Sequence, residues 1–208
     1  MRKVAFVPIW ALLLACPAIA EIIDRALAVV GGSVITLSDV NAADRLGLVD
    51  VEATGDRTAA VLAKLIDRQL ILIEVDRYAP AEPTSDALDA QVQRARARFA
   101  SGDLFTQTLA RLGLDEKRFR QMLRDDLRLR AYLDQRFTTP VPGEDEVDQY
   151  YREHQAEFTR NGRLLTREAA NAEIVRTLAE SRRTMMIQEW VDGLRRRASI
   201  TDLYLTRP

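Results

Sequence analysis

The strongest hydrophobic pattern in the chain lies between Arg57 and Ala79, in the segment RTAAVLAKLIDRQLILIEVDRYA. Its opening turns place apolar residues at helical spacing on one side, namely Val61, Leu62, Leu65, Ile66 and Leu72. The consecutive apolar residues 70–73 make the second half apolar almost all round. A helix of that kind is packed on several sides, and its many charges make it unsuited to cross a bilayer. The pattern predicts the central helix of a helical domain, with Leu65, Leu70 and Ile73 important for stability.

Residues 25–40, RALAVVGGSVITLSDV, predict a β-hairpin that runs into a helix. Two short β-branched runs flank Gly31-Gly32, a pair that supplies the positive φ of a tight turn. The sequence Thr36-Leu37-Ser38-Asp39 has the form of a helix capping box. An isolated hairpin is only marginally stable in water. The alternating segment Ser199–Leu205 is therefore expected to supply a third strand.

Six further helices are predicted from apolar periodicity, capping residues and breaks at glycine or proline, at residues 37–46, 86–100, 103–111, 115–137, 144–158 and 166–197. Residues 138–143, TTPVPG, form the clearest linker, because two prolines and a glycine cannot continue a helix. Residues 159–165 are predicted as a brief break between the last two helices.

Three charged residues interrupt the apolar face of the predicted helix at 115–137. Asp126, Arg130 and Asp134 follow one another at steps of four. This spacing favours a ladder of ion pairs within the helix, each worth a few tenths of a kcal/mol. The alternative is a polar latch in a binding groove.

The first twenty residues have the pattern of a secretory signal peptide. A basic head, Met1-Arg2-Lys3, precedes an apolar run and the small-residue cleavage signal Ala18-Ile19-Ala20. The mature chain is then expected to begin at Glu21 and to be periplasmic. The alternative is a lipoprotein, because Leu13-Leu14-Ala15-Cys16 resembles a lipoprotein box that would leave Cys16 as a membrane anchor. The predicted organisation is thus a signal peptide at 1–20, an N-terminal helical domain at 21–139, and a segment at 140–208 that completes the same domain.

Composition excludes several classes of function for the mature chain. Cys16 is the only cysteine, so a disulfide scaffold, a zinc–cysteine site and a cysteine nucleophile are excluded after cleavage. The whole chain has 30 Lys+Arg and 31 Asp+Glu, and loss of Arg2 and Lys3 leaves 28 against 31, a net charge of −3. This balance indicates ordinary solvated helix faces and no nucleic-acid partner. No second segment predicts a membrane span.

The sequence contains no pattern typical of a catalytic or metal site. His154 is the only histidine, and no metal-ligating or catalytic partner lies at a recognisable spacing from it. Gly31-Gly32 lacks the lysine and serine of a phosphate-binding loop. We therefore predict a surface position for His154, and no metal, cofactor or catalytic residue.

Large aromatic and thioether side chains are the remaining candidates for a binding surface. They are Phe99, Phe105, Phe119, Met122, Met185, Met186 and Trp190. Core packing is the default for each, and the alternative is that some of them line a groove, since methionine adapts to varied partners.

Three stretches, ALAVVGGSVITLSDV, LIDRQLILIEVDRYA and VPGEDEVDQYYREHQAEF, together resemble the SurA family of periplasmic chaperones and its parvulin-type relatives. The closing segment WVDGLRRRASITDLYL is also similar to that family. The resemblance implies a mainly α fold, a SurA/trigger-factor-like helical chaperone module whose small N-terminal β-hairpin is completed by a C-terminal strand. The sequence departs from the family after Phe158, where a parvulin isomerase domain of about 90 residues would be expected. Only residues 159–165 stand there, so the isomerase activity is not carried over.

The resemblance implies an ATP-independent periplasmic chaperone that binds unfolded outer-membrane or secreted polypeptides in an apolar crevice. The first alternative is an adaptor with one fixed partner, or a homodimer of the same fold. The second alternative is an enzyme, either a residual peptidyl-prolyl isomerase or a hydrolase.

Overall fold

The computed structural model describes residues 24–51 and 55–205. The predicted signal peptide and the alternative lipidation site at Cys16 lie outside the described residues. Within them the chain is mainly helical, with strands β1 Ala26–Val30, β2 Ser33–Thr36, β3 Thr159–Arg160, β4 Arg163–Leu164 and β5 Ile200–Asp202, and helices α1 Leu37–Arg45, α2 Arg57–Tyr78, α3 Ser85–Arg96, α4 Gly102–Arg111, α5 Glu116–Arg136, α6 Glu144–Glu153 and α7 Arg167–Arg197. None of the helices in this part of the chain combines the length and the apolar character of a membrane span.

The N-terminal hairpin gains its third strand from the other end of the chain, as predicted. The antiparallel sheet has the order β2-β1-β5, and Val30 pairs with Ile200. Strand β5 is shorter than the predicted 199–205. The Asp202 carboxylate accepts hydrogen bonds from the backbone N–H groups of Tyr204 and Leu205, at 2.8 Å and 3.0 Å. These bonds turn the backbone away from the sheet and end the strand.

The predicted capping box begins α1. The Asp39 N–H donates to the Thr36 hydroxyl at 3.2 Å, and the Thr36 N–H donates to the Asp39 carboxylate at 3.0 Å. Two of the otherwise unpaired N–H groups at the helix start are satisfied in this way. The strand-to-helix corner at residue 36 is therefore fixed by local chemistry.

Helix α2 is the central helix, as its pattern predicts. It contacts α1, α5, α7 and strands β1 and β2. Leu62, Ile66 and Leu70 are buried with the hairpin and Leu194 of α7, while Ile71 and Val75 are buried with Tyr132 of α5 and Val191 of α7. The all-round apolar character of the second half of α2 is thus explained by neighbours on several sides.

Two further apolar clusters lie on either side of this centre. Helices α1, α3, α4 and α5 enclose the first, around Phe105 and Phe119. The second lies between α6, the β3–β4 hairpin and the first half of α7, around Phe158 and Ile174. Between Ile174 and Val191, helix α7 buries no residue fully.

The prediction that α6 continues to Phe158 is wrong. The helix ends at Glu153, and the next residues form turns in which the N–H groups of Glu157 and Phe158 donate to the carbonyls of His154 and Gln155. These tight turns bring Phe158 into the small core beside Ile174. The chain then forms the two-residue strands β3 and β4 where a simple break was predicted.

The predicted ladder of ion pairs within α5 is also wrong. Asp126 pairs with Arg68 of α2 at 2.8 Å, and Asp134 pairs with Arg183 of α7 at 2.5 Å. The face that carries these carboxylates is turned toward α2 and α7. Arginines from those helices are therefore their partners, and the ion pairs join helices.

Replacement of Leu70 by alanine should destabilise the protein by about 2–5 kcal/mol, because the side chain is only 3% exposed and the vacated space cannot collapse completely. The free energy of unfolding in a urea titration measures this loss. Lys64→Ala on the exposed side of α2 is the matched control and should change stability by no more than about 0.5 kcal/mol. Equal effects would show that the helix is not central.

The two ion pairs of α5 should differ in their contribution to stability. Asp126→Asn should cost about 1–2 kcal/mol, since Arg68 and Asp126 are both mostly buried and the guanidinium loses its charged partner. Asp134→Asn should cost less than about 1 kcal/mol, because that pair is exposed and screened. Denaturant titrations at low and high salt measure both values, and a larger cost for Asp134→Asn would contradict this assignment.

Candidate functional site

A crevice opens where the second half of α2 meets the ends of α5 and α7 and the tip of the β1–β2 hairpin. Its volume is 590 Å³. Buried and half-buried apolar side chains form its floor, namely Leu70, Ile73, Trp190 and Leu194. Exposed residues form its rim, namely Arg77, Tyr78, Arg136 and Arg197. The crevice therefore combines an apolar floor with an arginine-rich edge.

Tyr78 and Trp190 line this crevice, and the buried rings of Tyr132 and Phe137 lie behind them. The ring of Trp190 lies 5.3 Å from that of Phe137 and 6.0 Å from that of Tyr132. Tyr132 in turn stacks on Tyr78 at 5.9 Å. These separations are typical of favourable aromatic contacts, so the rings from α2, α5 and α7 support one another.

The guanidinium of Arg136 lies against the same rings. Its central carbon is 5.2 Å from the Trp190 ring and 5.9 Å from the Tyr132 ring, both within cation–π range. Stacking of this kind holds the arginine in place while its N–H edge remains available for hydrogen bonds.

A smaller recess adjoins the crevice beyond Tyr78. It has a volume of 290 Å³ and is lined by Tyr78, Pro80, Tyr132, Gln135 and Arg136. Tyr78 and Arg136 line both spaces. A side chain that entered the recess could thus belong to a segment lying in the crevice.

Positive charge predominates around the crevice. Arg77, Arg136 and Arg197 line it together with a single carboxylate, Glu74. Glu74 already pairs with Arg77 at 2.9 Å. The crevice is thus cationic, although the whole chain has one more acidic than basic residue.

A second cleft, of 370 Å³, lies on a different face of α2, where Arg68 and Ile71 face α5 and α7. Ion pairs satisfy its main charges: Arg68 with Asp126 at 2.8 Å and Arg195 with Asp67 at 2.5 Å. The Asp67 hydrogen bond raises the pKa of Arg195, so this guanidinium stays charged over the whole ordinary pH range. These four groups have partners, whereas Lys64 and Arg130, which also line the cleft, make no ion pair within residues 24–51 and 55–205.

The seven candidate residues from the sequence are not brought together in one place. Phe99, Phe105, Phe119 and Met122 share the cluster between α3, α4 and α5, where Phe105 and Phe119 are fully buried core residues. Met185 and Met186 are exposed on α7. Trp190 alone lines the crevice. A binding role for the seven stays a prediction, and in this conformation Phe105 and Phe119 offer no surface to a ligand.

Three residues of the crevice and its adjoining recess were missed in the sequence, namely Tyr78, Tyr132 and Arg136. Two of them are one helical turn apart on α5, and a tyrosine followed four residues later by an arginine is a spacing at which the two side chains meet. That spacing could have drawn attention to Tyr132 and Arg136. Tyr78 carries no comparable signal, because its exposure depends on where α2 ends.

His154 has a structural role in the turn after α6. Its ring stacks on that of Tyr150 at 3.9 Å, and its Nδ1 lies 2.9 Å from the Tyr150 carbonyl oxygen. Across residues 24–51 and 55–205, no group of three or more histidine, cysteine or carboxylate residues has an arrangement that could hold a metal ion.

Comparison with solved structures identifies a similar fold in a chain from Campylobacter jejuni. Its structure belongs to a study of the virulence factor PEB4 and the periplasmic protein Cj1289. That study describes the two as structurally related SurA-like chaperones. The superposition has a TM-score of 0.55 at 12% sequence identity, and covers 86% of this chain and 99% of that chain. No protein-family model matches this chain, and no curated protein matches it. The fold is thus SurA-like, mainly α with a small sheet closed by the C-terminal strand.

The charge of the crevice should be visible in the fluorescence quenching of Trp190. The chain has two tryptophans, and Trp10 lies in the predicted signal peptide, so a chain that begins at Glu21 keeps Trp190 as the reporter. When each quenching constant is divided by that of free N-acetyltryptophanamide, iodide should exceed caesium about twofold at low ionic strength, because the surrounding arginines concentrate anions.

Arg136→Gln should reduce the difference between iodide and caesium in the quenching of Trp190 fluorescence. Arg130→Gln is the matched control: it removes an exposed arginine of the same helix that lines the other cleft, and it should leave the difference unchanged. Equal normalised quenching constants for both ions in the parent protein would contradict a cationic crevice.

Proposed function

We propose that this protein is an ATP-independent chaperone of the periplasm that holds extended, aromatic-rich segments of unfolded outer-membrane or secreted polypeptides in the Trp190 crevice. The observation that carries the proposal is the crevice itself, which combines an apolar floor, exposed Tyr78 and an arginine-rich rim on a SurA-like fold. Holding such a segment would keep it from aggregating with other unfolded chains.

The shape and chemistry of the crevice suit this role. Its 590 Å³ lies within the range of about 300–1,000 Å³ that is usual for ligand sites. Tyr78 is 59% exposed and offers its ring to an incoming side chain. Aromatic and aliphatic contacts are weakly directional, so they accept many sequences, as a chaperone requires.

We also propose that residues 21–139 and 140–208 work as one unit. Tyr78 and Arg136 come from the first segment, whereas Trp190 and Arg197 come from the second, and all four line the crevice. Neither segment alone supplies a complete crevice. Strand β5 of the second segment pairs with β1 of the first, which also supports a single folded unit.

The signal-peptide pattern supports export to the periplasm. That compartment lacks ATP, which suits a chaperone that binds its clients without ATP. Cleavage after Ala20 gives a mature chain that begins at Glu21 and carries no lipid. Intact mass of the protein purified from a Gram-negative host distinguishes this form from one anchored at Cys16.

Tyr78→Ala should weaken the binding of an aromatic-rich peptide by about five- to thirtyfold, because it removes an exposed ring at the rim of the crevice. The same variant should be a poorer suppressor of the aggregation of an unrelated unfolded protein. Calorimetric titration and light scattering measure the two effects. The fold should persist, since the side chain is mostly exposed.

Met185→Ala is the matched control, because Met185 is 58% exposed but lies on α7 outside the crevice. It should leave both activities unchanged. The opposite result, loss with Met185→Ala and none with Tyr78→Ala, would move the site to the methionine pair. Failure of the parent protein to bind unrelated aromatic peptides would instead indicate an adaptor with one fixed partner.

A further inference from the structure

We infer that the crevice selects aromatic segments that carry a carboxylate side chain close to the aromatic residue, with the ring in the crevice and the carboxylate between Arg136 and Tyr132. This inference rests on the proposed function, because it names the class of polypeptide that the same site prefers. Two independent features support it: unpaired arginines around the crevice, and a buried tyrosine hydroxyl without a partner.

The arginines of the crevice are available to an anion. Among the described residues, neither Arg136 nor Arg197 makes an ion pair, and the one carboxylate of the lining, Glu74, is engaged with Arg77. Elsewhere in the chain, arginines such as Arg68, Arg167 and Arg195 pair with carboxylates of neighbouring elements. Within residues 24–51 and 55–205 other arginines, such as Arg130, also make no ion pair, so Arg136 is distinguished by its place at the crevice and by the rings that it contacts.

Arg136 is also held in a useful orientation. Its guanidinium lies 5.2–5.9 Å from the rings of Trp190, Phe137 and Tyr132. Because the rings lie against the flat face of the guanidinium, the N–H groups at its edge can donate hydrogen bonds. Two of these N–H groups have the spacing of the two oxygens of a carboxylate. The aromatic wall therefore positions the charge that would bind the anion.

Tyr132 supplies the second donor. Its side chain is only 6% exposed, and its hydroxyl makes no well-formed hydrogen bond among the described residues, although Arg136 lies close enough to oppose the rise in the pKa of Tyr132. A buried hydroxyl in this state is unfavourable until water or a ligand satisfies it. Burial also raises the pKa of Tyr132, with the charge of Arg136 opposing the shift, so the hydroxyl keeps its proton at neutral pH and can donate it.

The position of both donors favours a peptide side chain as the ligand. Tyr132 and Arg136 line the 290 Å³ recess together with Tyr78 and Pro80. A concave space of this size admits one side chain, whereas a membrane surface is bound by exposed clusters of about four to eight basic residues. An aspartate or glutamate next to an aromatic residue places its carboxylate in the recess while the ring remains in the crevice.

The test compares three peptides blocked at both ends that share one aromatic core and differ at a single neighbouring position: glutamate, glutamine or lysine. Calorimetric titration of the full chain at low salt should rank them Glu, Gln, Lys from tightest to weakest. The step from Gln to Glu should be about five- to tenfold, the size of one charge-assisted hydrogen-bonded contact at a partly exposed site. It should shrink at high salt.

Two variants test whether the preference for the Glu peptide over the Gln peptide depends on Arg136 and Tyr132. Arg136→Gln and Tyr132→Phe should each bring the affinities for the Glu and Gln peptides within about twofold of each other. Arg130→Gln, an exposed arginine of the same helix in the other cleft, should preserve the full preference. Tyr132→Phe removes a hydroxyl without a partner, so its denaturation midpoint should not fall; if this variant fails to fold, Arg136→Gln decides the question.

The possible results separate the inference from the proposed function. Equal binding of the Glu and Gln peptides overturns the inference and leaves the proposed function standing. Absence of binding for all three peptides overturns both. A Glu preference that survives Arg136→Gln but is lost in Arg130→Gln places the anion in the other cleft and overturns the inference. Arg136-dependent binding to phosphatidylglycerol vesicles without a Glu preference assigns the arginines to a membrane surface.

Discussion

The rest of the structure depends on one constraint, the burial of the apolar surface of α2 by neighbouring elements. A helix that is apolar on several sides requires partners on each of them, and these come from widely separated parts of the chain. The hairpin and α1 precede it, α5 follows it, and α7 arrives last. Where the hairpin tip, α5 and α7 do not quite meet, the apolar surface around Leu70 and Ile73 is left open as the crevice. The candidate site is therefore the incompletely covered part of the core.

Arginine serves two purposes in this fold. Across helix contacts it joins neighbouring elements, as Arg68 does with Asp126 and Arg195 with Asp67. At the crevice, Arg136 contacts aromatic rings and makes no ion pair within the described residues. The planar guanidinium suits both purposes, since it forms geometrically defined ion pairs and also packs flat on a ring. This helps to explain a chain in which arginine so outnumbers lysine.

Local patterns predicted the fold well. The hairpin turn, the capping box at Thr36 and the central helix depend on residues near one another in sequence, and each is found where the pattern indicates. The end of α6 depends instead on burial of Phe158 against Ile174, a contact between different elements that periodicity does not reveal. The partners of Asp126 and Asp134 were mistaken for the same reason, because the i+4 neighbour is visible in sequence and the neighbouring helix is not.

The candidate site was harder to predict than the fold. Selection by apolar character placed fully buried Phe105 beside exposed Met185, since residue type does not distinguish core from groove. Tyr78 and Arg136 have both a polar and an apolar part, and such residues are favoured at partly wet binding surfaces. A search for amphipathic side chains near helix ends would have come closer to the crevice than a search for the most apolar ones.

The pairing of β5 with β1 has a consequence for the order in which the protein is assembled. Strand β1 is made early, but its partner and the Trp190, Arg197 and Ser199 side of the crevice are made late. Contacts between distant parts of a chain form slowly, because a long loop has to close first. During synthesis, part of the apolar surface of α2 therefore stays uncovered until its last neighbour is made. Until α7 docks, the side of α2 that packs on Leu194 and Val191 is exposed to other apolar segments.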